Sequence, residues 1–520
     1  MPAPRTSRLL LRSGAAALGG IGVGCGFAPV ESLALLWAGL TLFVLALRGS
    51  SLRAGALLGA LFGATFMTML VWWVHVLGSG VLLALVAASV PFYVLFAMAF
   101  TRIALLRAWP VWGALLWMAF EYLRSIVPFG GFPWGRLAFA TVGTPLAPYS
   151  RWVGVAAVSG LVFGLAALTA YVLERRRART VAVAIPAAVA ILGVGALLPT
   201  GLASPGDRIE VAVIQGNVPG TGADGMGQQR QVLHNHVRAT LEYASQVDAG
   251  ERPAPDAVLW PENASDIDPI AHPEAGAQIS AAARAVGAPI LVGAILNGPT
   301  PDTAENAGIA WSPDTGPGER YVKRHLVPFG EYVPFGEFSR TLVPRLDREI
   351  PRDMVPGTKP GVLDLGPVTV GDMMCFDVVF DRLARDAVLG GAQMLVVQTN
   401  NATYLGTSQP DQQWQIARMR AIESGHVVAV PSTNGVSGFV DGDGQVLAKS
   451  QSGRAAILAE RVTEANGVTW GIRIGVWVEY AATAAALCGL LLGLRRRRRT
   501  RPVTTESSDA DAVRVEAVRA

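Results

Sequence analysis

Val368–Asp377 reads VTVGDMMCFD, a short apolar run that ends in a cysteine. Its β-branched and apolar residues predict a strand over Val368–Met374 with Cys375 at its end. The chain has three cysteines, and the other two, Cys25 and Cys488, lie inside long apolar segments near the two ends. Cys375 is therefore the only thiol of the polar part of the chain, and no disulfide can form within that part. A free cysteine in this position is either an inert core residue or a nucleophile served by a base and a cation from elsewhere in the fold.

Outward from this stretch the composition changes sharply. The chain of 520 residues is 51% hydrophobic and 16% charged, which is low in charge for a soluble protein. Leu9–Gly201 is almost continuously apolar, Arg208–Glu464 has the mixed composition of a globular domain, and Ile474–Leu494 is apolar again. Eight segments are candidate spans: Leu9–Phe27, Ser32–Leu47, Ala54–Val74, Val81–Phe100, Trp109–Leu123, Trp152–Leu173, Val181–Leu198 and Ile474–Leu494. The first, with Arg5, Arg8 and Arg12 at its start, also has features of a signal peptide, but no small-x-small cleavage site follows. The net charge of +4 comes largely from Arg clusters beside these segments, so it reads as membrane topology and not as nucleic-acid binding.

The arginines set an orientation. With a cytoplasmic N-terminus, the inside connections hold Arg48 and Arg53, Arg102 and Arg107, Arg175 to Arg177 with Arg179, and finally Arg495 to Arg499. The first two outside connections hold no Lys or Arg, and the third, with Arg124, Arg136 and Arg151, is a partial exception. The expected organisation is a transmembrane domain of seven spans over 1–201, an extracytoplasmic domain over 208–465, a transmembrane helix over 474–494, and a basic, then disordered, cytoplasmic tail over 495–520. The third connection contains PFGGFPWG (Pro128–Gly135), too apolar for an ordinary solvated loop. It is either a tight interfacial turn or a segment that lines a lipid-accessible cavity.

Within 208–465 strands alternate with helices. Strands are expected at Ile209–Gln215, Ala257–Trp260, Ile290–Ala294, Ala307–Trp311, Val368–Met374, Met394–Thr399, Val427–Pro431, Gly438–Val440 and Ala455–Leu458. Helices are expected at Gln228–Val247, Ile279–Val286, Arg382–Gly390 and Gln412–Ser424. This alternation predicts an α/β sandwich. No G-x-G-x-x-G follows a strand and there is no P-loop, which argues against a nucleotide. His234 and His236, two apart on a predicted helix, face different ways and lack metal-ligand spacing.

Two further positions bear on chemistry. Glu262 follows a buried strand in Val258–Glu262, VLWPE, where a carboxylate is either a loop or capping residue or a base with a raised pKa. Lys323, in YVKRHLVPFGEY (Tyr321–Tyr332), is one of only three lysines, with Lys359 and Lys449. A chain that prefers Arg so strongly and places Lys here suggests a need for a compact ammonium. Glu, Lys and Cys together suffice for acyl transfer: base, oxyanion donor beside the Phe376 N–H, and nucleophile.

Glu262, Lys323 and Cys375, in this order and each near a strand, resemble the Glu-Lys-Cys triad of the nitrilase superfamily. YVKRHLVPFGEYVPFG together with eight apolar segments resembles the apolipoprotein N-acyltransferase family more closely. The similarity extends over GFPWG (Gly131–Gly135), VIQGNVP (Val213–Pro219), WPEN (Trp260–Asn263), IARMRAIESG (Ile416–Gly425) and STNGVSGFVDGDG (Ser432–Gly444).

The resemblance implies a nitrilase-like αββα sandwich on a polytopic membrane domain in the bacterial cytoplasmic membrane, with no cofactor. It implies that Cys375 takes an acyl chain from a phospholipid as a thioester and passes it to the α-amino group of a diacylglyceryl-cysteine on an apolipoprotein. Glu331 would be a second carboxylate at the site. Phe376-Asp377 stands where the family has Tyr-Glu, NNATYLG (Asn400–Gly406) where it has Asn-Asp-Ala-Trp-Phe-Gly, and His426 where it has Arg. The family's Trp after the first strand has no match near Gly220–Gln229. The competing readings are a membrane-tethered nitrilase or amidase acting on a small C–N substrate, and a transporter or receptor with an inactive α/β sensor domain. Glu121 and Glu479 fall toward the outer ends of their segments and leave no evident ion path.

Overall fold

An apolar run in lipid must satisfy its own backbone, so it folds as a helix. In the computed structural model, which describes residues 5–218, 230–343 and 345–500, each of the eight predicted apolar segments is helical. They begin with α1 (Arg5–Gly24), α2 (Leu33–Leu47), α3 (Leu52–Leu70), α4 (Ser79–Ile103) and α5 (Trp109–Arg124). A four-residue turn, α6 (Ser150–Val153), precedes α7 (Val155–Arg175) and α8 (Ala178–Leu197). Ser32 and Ser51 cap α2 and α3, accepting from Leu35 N and Ala54 N. Aromatic rings fill the middle of the bundle: Phe43 stacks on Phe62 at 3.8 Å and Trp117 on Phe163 at 4.9 Å. Among the described residues five helices are long and apolar enough to cross a membrane: α3, α4, α7, α8 and the last helix, which starts at Trp470.

The rest of the chain is built from β1 (Pro205–Gln215), α9 (Gln231–Asp248), β2 (Ala257–Leu259), α10 (Pro273–Val286), β3 (Ile290–Asn297), β4 (Thr303–Ser312) and β5 (Gly316–Val322). Next come α11 (Glu337–Leu342), α12 (Leu346–Glu349), β6 (Asp353–Met354), β7 (Val362–Asp364), β8 (Thr369–Met374), α13 (Asp381–Leu389), β9 (Met394–Gln398) and α14 (Gln409–Ser424). The last elements are β10 (Val428–Val430), β11 (Gly438–Val440), β12 (Val446–Lys449), β13 (Ala456–Ala465) and α15 (Trp470–Thr500). One sheet has the order β13-β1-β2-β3-β4-β5, with β6 on β4, and the other β12-β11-β10-β9-β8-β7.

The sheets pack face to face through Val211, Val213, Leu259, Leu291, Met374, Val396 and Phe439. Helices α9 and α10 cover the first sheet through Leu233, Tyr243 and Ile279. Helices α13 and α14 cover the second, giving the expected αββα sandwich. Ile416 and Met419 of α14 share one apolar cluster with Phe96 and Phe163 of the helical bundle, so α14 seats the sandwich on the bundle. The central strands β1-β2-β3 and β8-β9-β10 are parallel, which explains their continuous apolar sequences.

The structure departs from the sequence reading at the sheet edges. β5, β6, β7 and β12 were not expected, and β13 runs seven residues past the predicted end at Leu458 to Ala465. Their residues are short, polar or glycine-rich and carry no two-residue alternation to betray them. β1 begins at Pro205, four residues before the expected start of the first strand at Ile209. The tail from Pro502 and the Gly220–Gln229 stretch lie outside the described residues.

Candidate active site

Trp260 is fully buried at the end of β2, where its Nε1 donates to Thr240 Oγ1 at 3.0 Å. Pro261 then ends the strand, because it has no N–H to give the ladder, and Glu262 points into the protein with 4% exposure. The approach of β3 to this bend requires glycine: a Cβ on Gly293 would lie 2.2 Å from Pro261 O. Lys323 follows β5 and is 1% exposed. Its Nζ lies 3.0 Å from Glu262 Oε1 and 3.0 Å from Glu331 Oε1. Asn306 of β4, the backbone partner of Lys323 (N to O 2.8 Å), donates its Nδ2 to the same two oxygens at 2.8 and 2.9 Å. The second oxygens are held by backbone N–H groups, Asn400 N on Glu262 at 3.0 Å and Val327 N on Glu331 at 2.8 Å. Two carboxylates therefore flank one ammonium and one amide. Burial alone would lower the Lys323 pKa, but Glu262 and Glu331 raise it well above its ordinary value.

Cys375 sits where β8 ends, with φ +50, a left-handed backbone that a residue with a Cβ adopts at a cost. The strained turn puts its thiol beyond the sheet end, partly exposed, beside Thr399, Glu262 and Lys323. Burial of its surroundings, and then the charge of Glu262, push the thiol up to about 12 against the opposing pull of Lys323 and a hydrogen bond from Thr399. It rests as a neutral thiol. Phe376 lies in the first turn of a 3₁₀ segment, Cys375–Val379, where backbone N–H groups have no acceptor within the turn.

Phe376 keeps the aromatic character of the position, stacking on Phe132 (5.8 Å) and Trp134 (6.2 Å). Asp377 is fully buried, and its Oδ2 accepts from Tyr321 Oη at 2.9 Å and Met374 N at 3.3 Å. Burial raises its pKa to about 7, held down in part by Lys323 and the Tyr321 hydrogen bond.

An apolar cavity of ≈ 270 Å³ opens onto Cys375. Its walls include Val81, Leu85 and Phe92 of α4, Phe132 and Trp134 of the 128–152 connection, and Tyr404. PFGGFPWG is thus a cavity wall. Buried Arg124 holds it there by donating Nη1 to Phe132 O (2.6 Å) and Trp134 O (2.7 Å). The other two arginines of this connection are engaged as well, Arg136 by Asp381 and Glu479 and Arg151 by Gly201 O. Glu121 accepts from Trp117 Nε1 and Leu137 N, and Glu479 pairs with Arg136, so both of these carboxylates have internal partners.

Several residues at the site escaped the sequence reading. Asn306 bridges Glu262 and Glu331, and the only signal was an amide inside an apolar strand. Asp372, two residues into the face that Met374 shares, lies between the sheets with neither oxygen hydrogen-bonded among the described residues. It fits only because β4 has Gly308 there, where a Cβ would lie 2.1 Å from Asp372 Oδ2. Burial, then the charges of Asp377 and Glu262, raise its pKa well above its ordinary value. Of the histidines, His236 is a satisfied core residue: Gly216 N donates to Nε2, so Nδ1 donates to Val232 O at 2.7 Å. Burial lowers its pKa to about 4. His426 is also buried, with its ring nitrogens 2.8 Å from Ser424 O and 3.1 Å from Ala392 O.

Comparison with known proteins bears on this arrangement. Residues 19–168 match the apolipoprotein N-acyltransferase N-terminal domain and residues 211–465 match the carbon-nitrogen hydrolase family. The apolipoprotein N-acyltransferase of Mycolicibacterium smegmatis is 36% identical over 522 residues, covering 95% of this chain and 87% of the relative. The chain belongs to the apolipoprotein N-acyltransferase family. Another member, from Vibrio cholerae, is 28% identical over 92% of this chain and 97% of its own. An amidase of the nitrilase superfamily from Nesterenkonia AN1 aligns with 50% of this chain and 93% of its own, at 20% identity and a TM-score of 0.37. The chain joins apolar helices to a nitrilase-like sandwich, as an integral bacterial membrane protein.

Proposed function

We propose that the protein transfers a fatty acyl chain from a phospholipid, through a thioester on Cys375, to the α-amino group of an apolipoprotein's N-terminal diacylglyceryl-cysteine. One observation carries this reading: the thiol stands at the junction of a buried Glu-Lys-Glu cluster and an apolar cavity walled by a membrane-type helix. A small amide would leave that cavity unused, whereas an acyl chain fills it. The names of the relatives support the acceptor class.

In the first step Glu262 takes the thiol proton as Sγ attacks the ester carbonyl. Lys323 Nζ and the Phe376 N–H donate to the oxyanion, in a site where such donors need no reorganisation. The C–O bond breaks, and the lysophospholipid alkoxide leaves with the proton held by Glu262. In the second step the neutral amine attacks the thioester, Glu262 takes one N–H proton, the C–S bond breaks, and the proton returns to sulfur. No net proton is gained or lost. The raised thiol pKa fits a nucleophile that loses its proton only as it attacks, which spares the resting enzyme an oxidisable thiolate. Glu331 shares the Lys323 ammonium and fixes its position.

The arginine distribution supports a sandwich on the outer face of the cytoplasmic membrane, with both termini inside. The three arginines that depart from the rule in the third connection are consumed by internal partners. Mass spectrometry of a lipoprotein N-terminus from cells with and without the protein tests the function. A third acyl chain should be present only with it, and its presence in both would overturn the reading.

A further inference from the structure

The connection that walls the acyl cavity has a second side. Ile126, Gly130, Pro133 and Arg136 line another cavity, of ≈ 560 Å³, which shares no lining residue with the one at Cys375. Aromatic rings stand between the two. His325 stacks on Phe380 at 4.0 Å, and Phe380 meets Phe376 edge-on at 5.2 Å. The floor of the second cavity is apolar helix surface, Val155 and Ala156 of α7 with Ile472 and Val476 of α15. Tyr122 and Tyr480 pair at 5.6 Å beside it, the kind of aromatic contact found where helices leave a membrane. Its roof is α13, with Arg382, Arg385 and Asp386.

The charges of this cavity do not balance. Four carboxylates line it, Asp381, Asp386, Glu423 and Glu479. Arg136 holds Asp381 (2.8 Å) and Glu479 (3.0 Å), Arg420 holds Asp381 (2.7 Å) and Glu423 (2.6 Å), and Arg324 holds Asp386 (2.9 Å). Arg382 reaches Asp386 only at 3.7 Å and is 71% exposed. Arg385 has no carboxylate within ion-pair distance among the described residues, and its buried Nε has no acceptor. Two guanidiniums, one with no carboxylate partner among the described residues and one weakly paired, thus crown an apolar floor on membrane-type helices.

We infer that this cavity is a second phospholipid site, with the headgroup phosphate on Arg385 and Arg382 and the glycerol and acyl region along Ile472 and Val476. Guanidinium forks match phosphate oxygens in pairs, and the apolar floor selects a phosphate that carries a hydrocarbon tail. This lipid is not the acyl donor, because the His325-Phe380-Phe376 wall separates it from the thiol. It supports that wall from behind. The inference needs a membrane setting but not the acyl-transfer reading.

The test is native mass spectrometry of the full chain, extracted from phosphatidylglycerol–phosphatidylethanolamine nanodiscs into mild detergent. Intact phospholipid bound non-covalently is counted separately from any acyl mass on Cys375. Arg382→Gln/Arg385→Gln should retain one phospholipid fewer than the unaltered protein. Val476→Trp, which fills the floor and keeps both arginines, should lose the same one. In an Ala88→Trp background, which fills the acyl cavity, the double Gln change should still remove one further phospholipid. Each variant is first checked for an unaltered unfolding temperature. Equal retention in the unaltered protein and the double Gln variant overturns the proposal. So does a gain in unfolding temperature from inorganic phosphate alone with no lipid retained, which would make this a phosphate site only.

Discussion

Replacing Lys323 by Met tests the centre of the cluster. Met keeps the length of the side chain and removes the ammonium that lies 3.0 Å from each of two carboxylate oxygens. Glu262 and Glu331 would then face each other with only Asn306 between them, at 4% and 9% exposure. Removing one partner of a buried ion pair costs about 3–5 kcal/mol, because the remaining charge is left uncompensated. The lost oxyanion donor should cost on the order of 10²–10³ in rate. The two effects separate in the double variant Lys323→Met/Glu331→Gln. There Glu262 keeps the Asn306 amide and the Asn400 N–H, and the surplus negative charge is gone. Stability should largely return, whereas thioester formation should not. Stability would be followed by denaturant unfolding in detergent, and thioester formation by single-turnover labelling with radioactive phospholipid. A loss below about 1 kcal/mol in the single variant would refute the paired-cluster reasoning. Recovery of labelling in the double variant would refute the oxyanion role.

Lys323→Arg should be nearly as damaging to labelling as Lys323→Met, since a planar fork cannot occupy the space of a compact ammonium between two carboxylates; near-normal labelling would reduce Lys323 to a general positive charge. Label from phospholipid should be released by neutral hydroxylamine from the unaltered protein and from a Cys25→Ala/Cys488→Ala variant, but be absent from Cys375→Ala and Cys375→Ser, and equal labelling of Cys375→Ala would remove the covalent intermediate. Asp377, with a pKa of about 7, keeps its proton in the folded state where the unfolded chain has lost it, so its contribution to stability should fall as pH rises from about 4 to about 7, by on the order of 4 kcal/mol. Asp377→Asn should flatten that part of the stability curve, and an unchanged slope would count against a protonated Asp377. A reporter active only in the cytoplasm should be silent when fused after Gly201 and active after Arg499, and the reverse pattern would invert the topology.

Much of this was legible in the sequence because it rests on strong one-dimensional signals. Long apolar runs can only be helices, and parallel strands buried on both faces read as unbroken apolar stretches. Glu262, Lys323 and Cys375 are each marked locally, by a proline bend, a rare lysine and a lone thiol. Edge strands such as GPGERYV (Gly316–Val322) are exposed and polar, so nothing in their composition separates them from loops. Asn306 and Asp372 were missed for a different reason. Their importance lies in partners that the sheets bring from other strands, and a buried polar residue in an apolar strand does not name its partner. The two alternatives for PFGGFPWG could not be separated in the sequence because the deciding contact, Arg124 on the carbonyls of Phe132 and Trp134, depends on how α5 ends.

β1 and β13 are antiparallel neighbours, with Pro205 opposite Ala465. The sandwich therefore enters and leaves the membrane domain through two strands roughly 4.8 Å apart. To the helical bundle, the whole sandwich is an insertion in one connection between α8 and α15, and the carbon-nitrogen hydrolase match begins at 211 and ends at 465, inside that strand pair. Because both tethers leave from one edge, they hold the sandwich at a hinge-like line, and its tilt on the bundle is fixed by α14 and the Arg136–Asp381 pair.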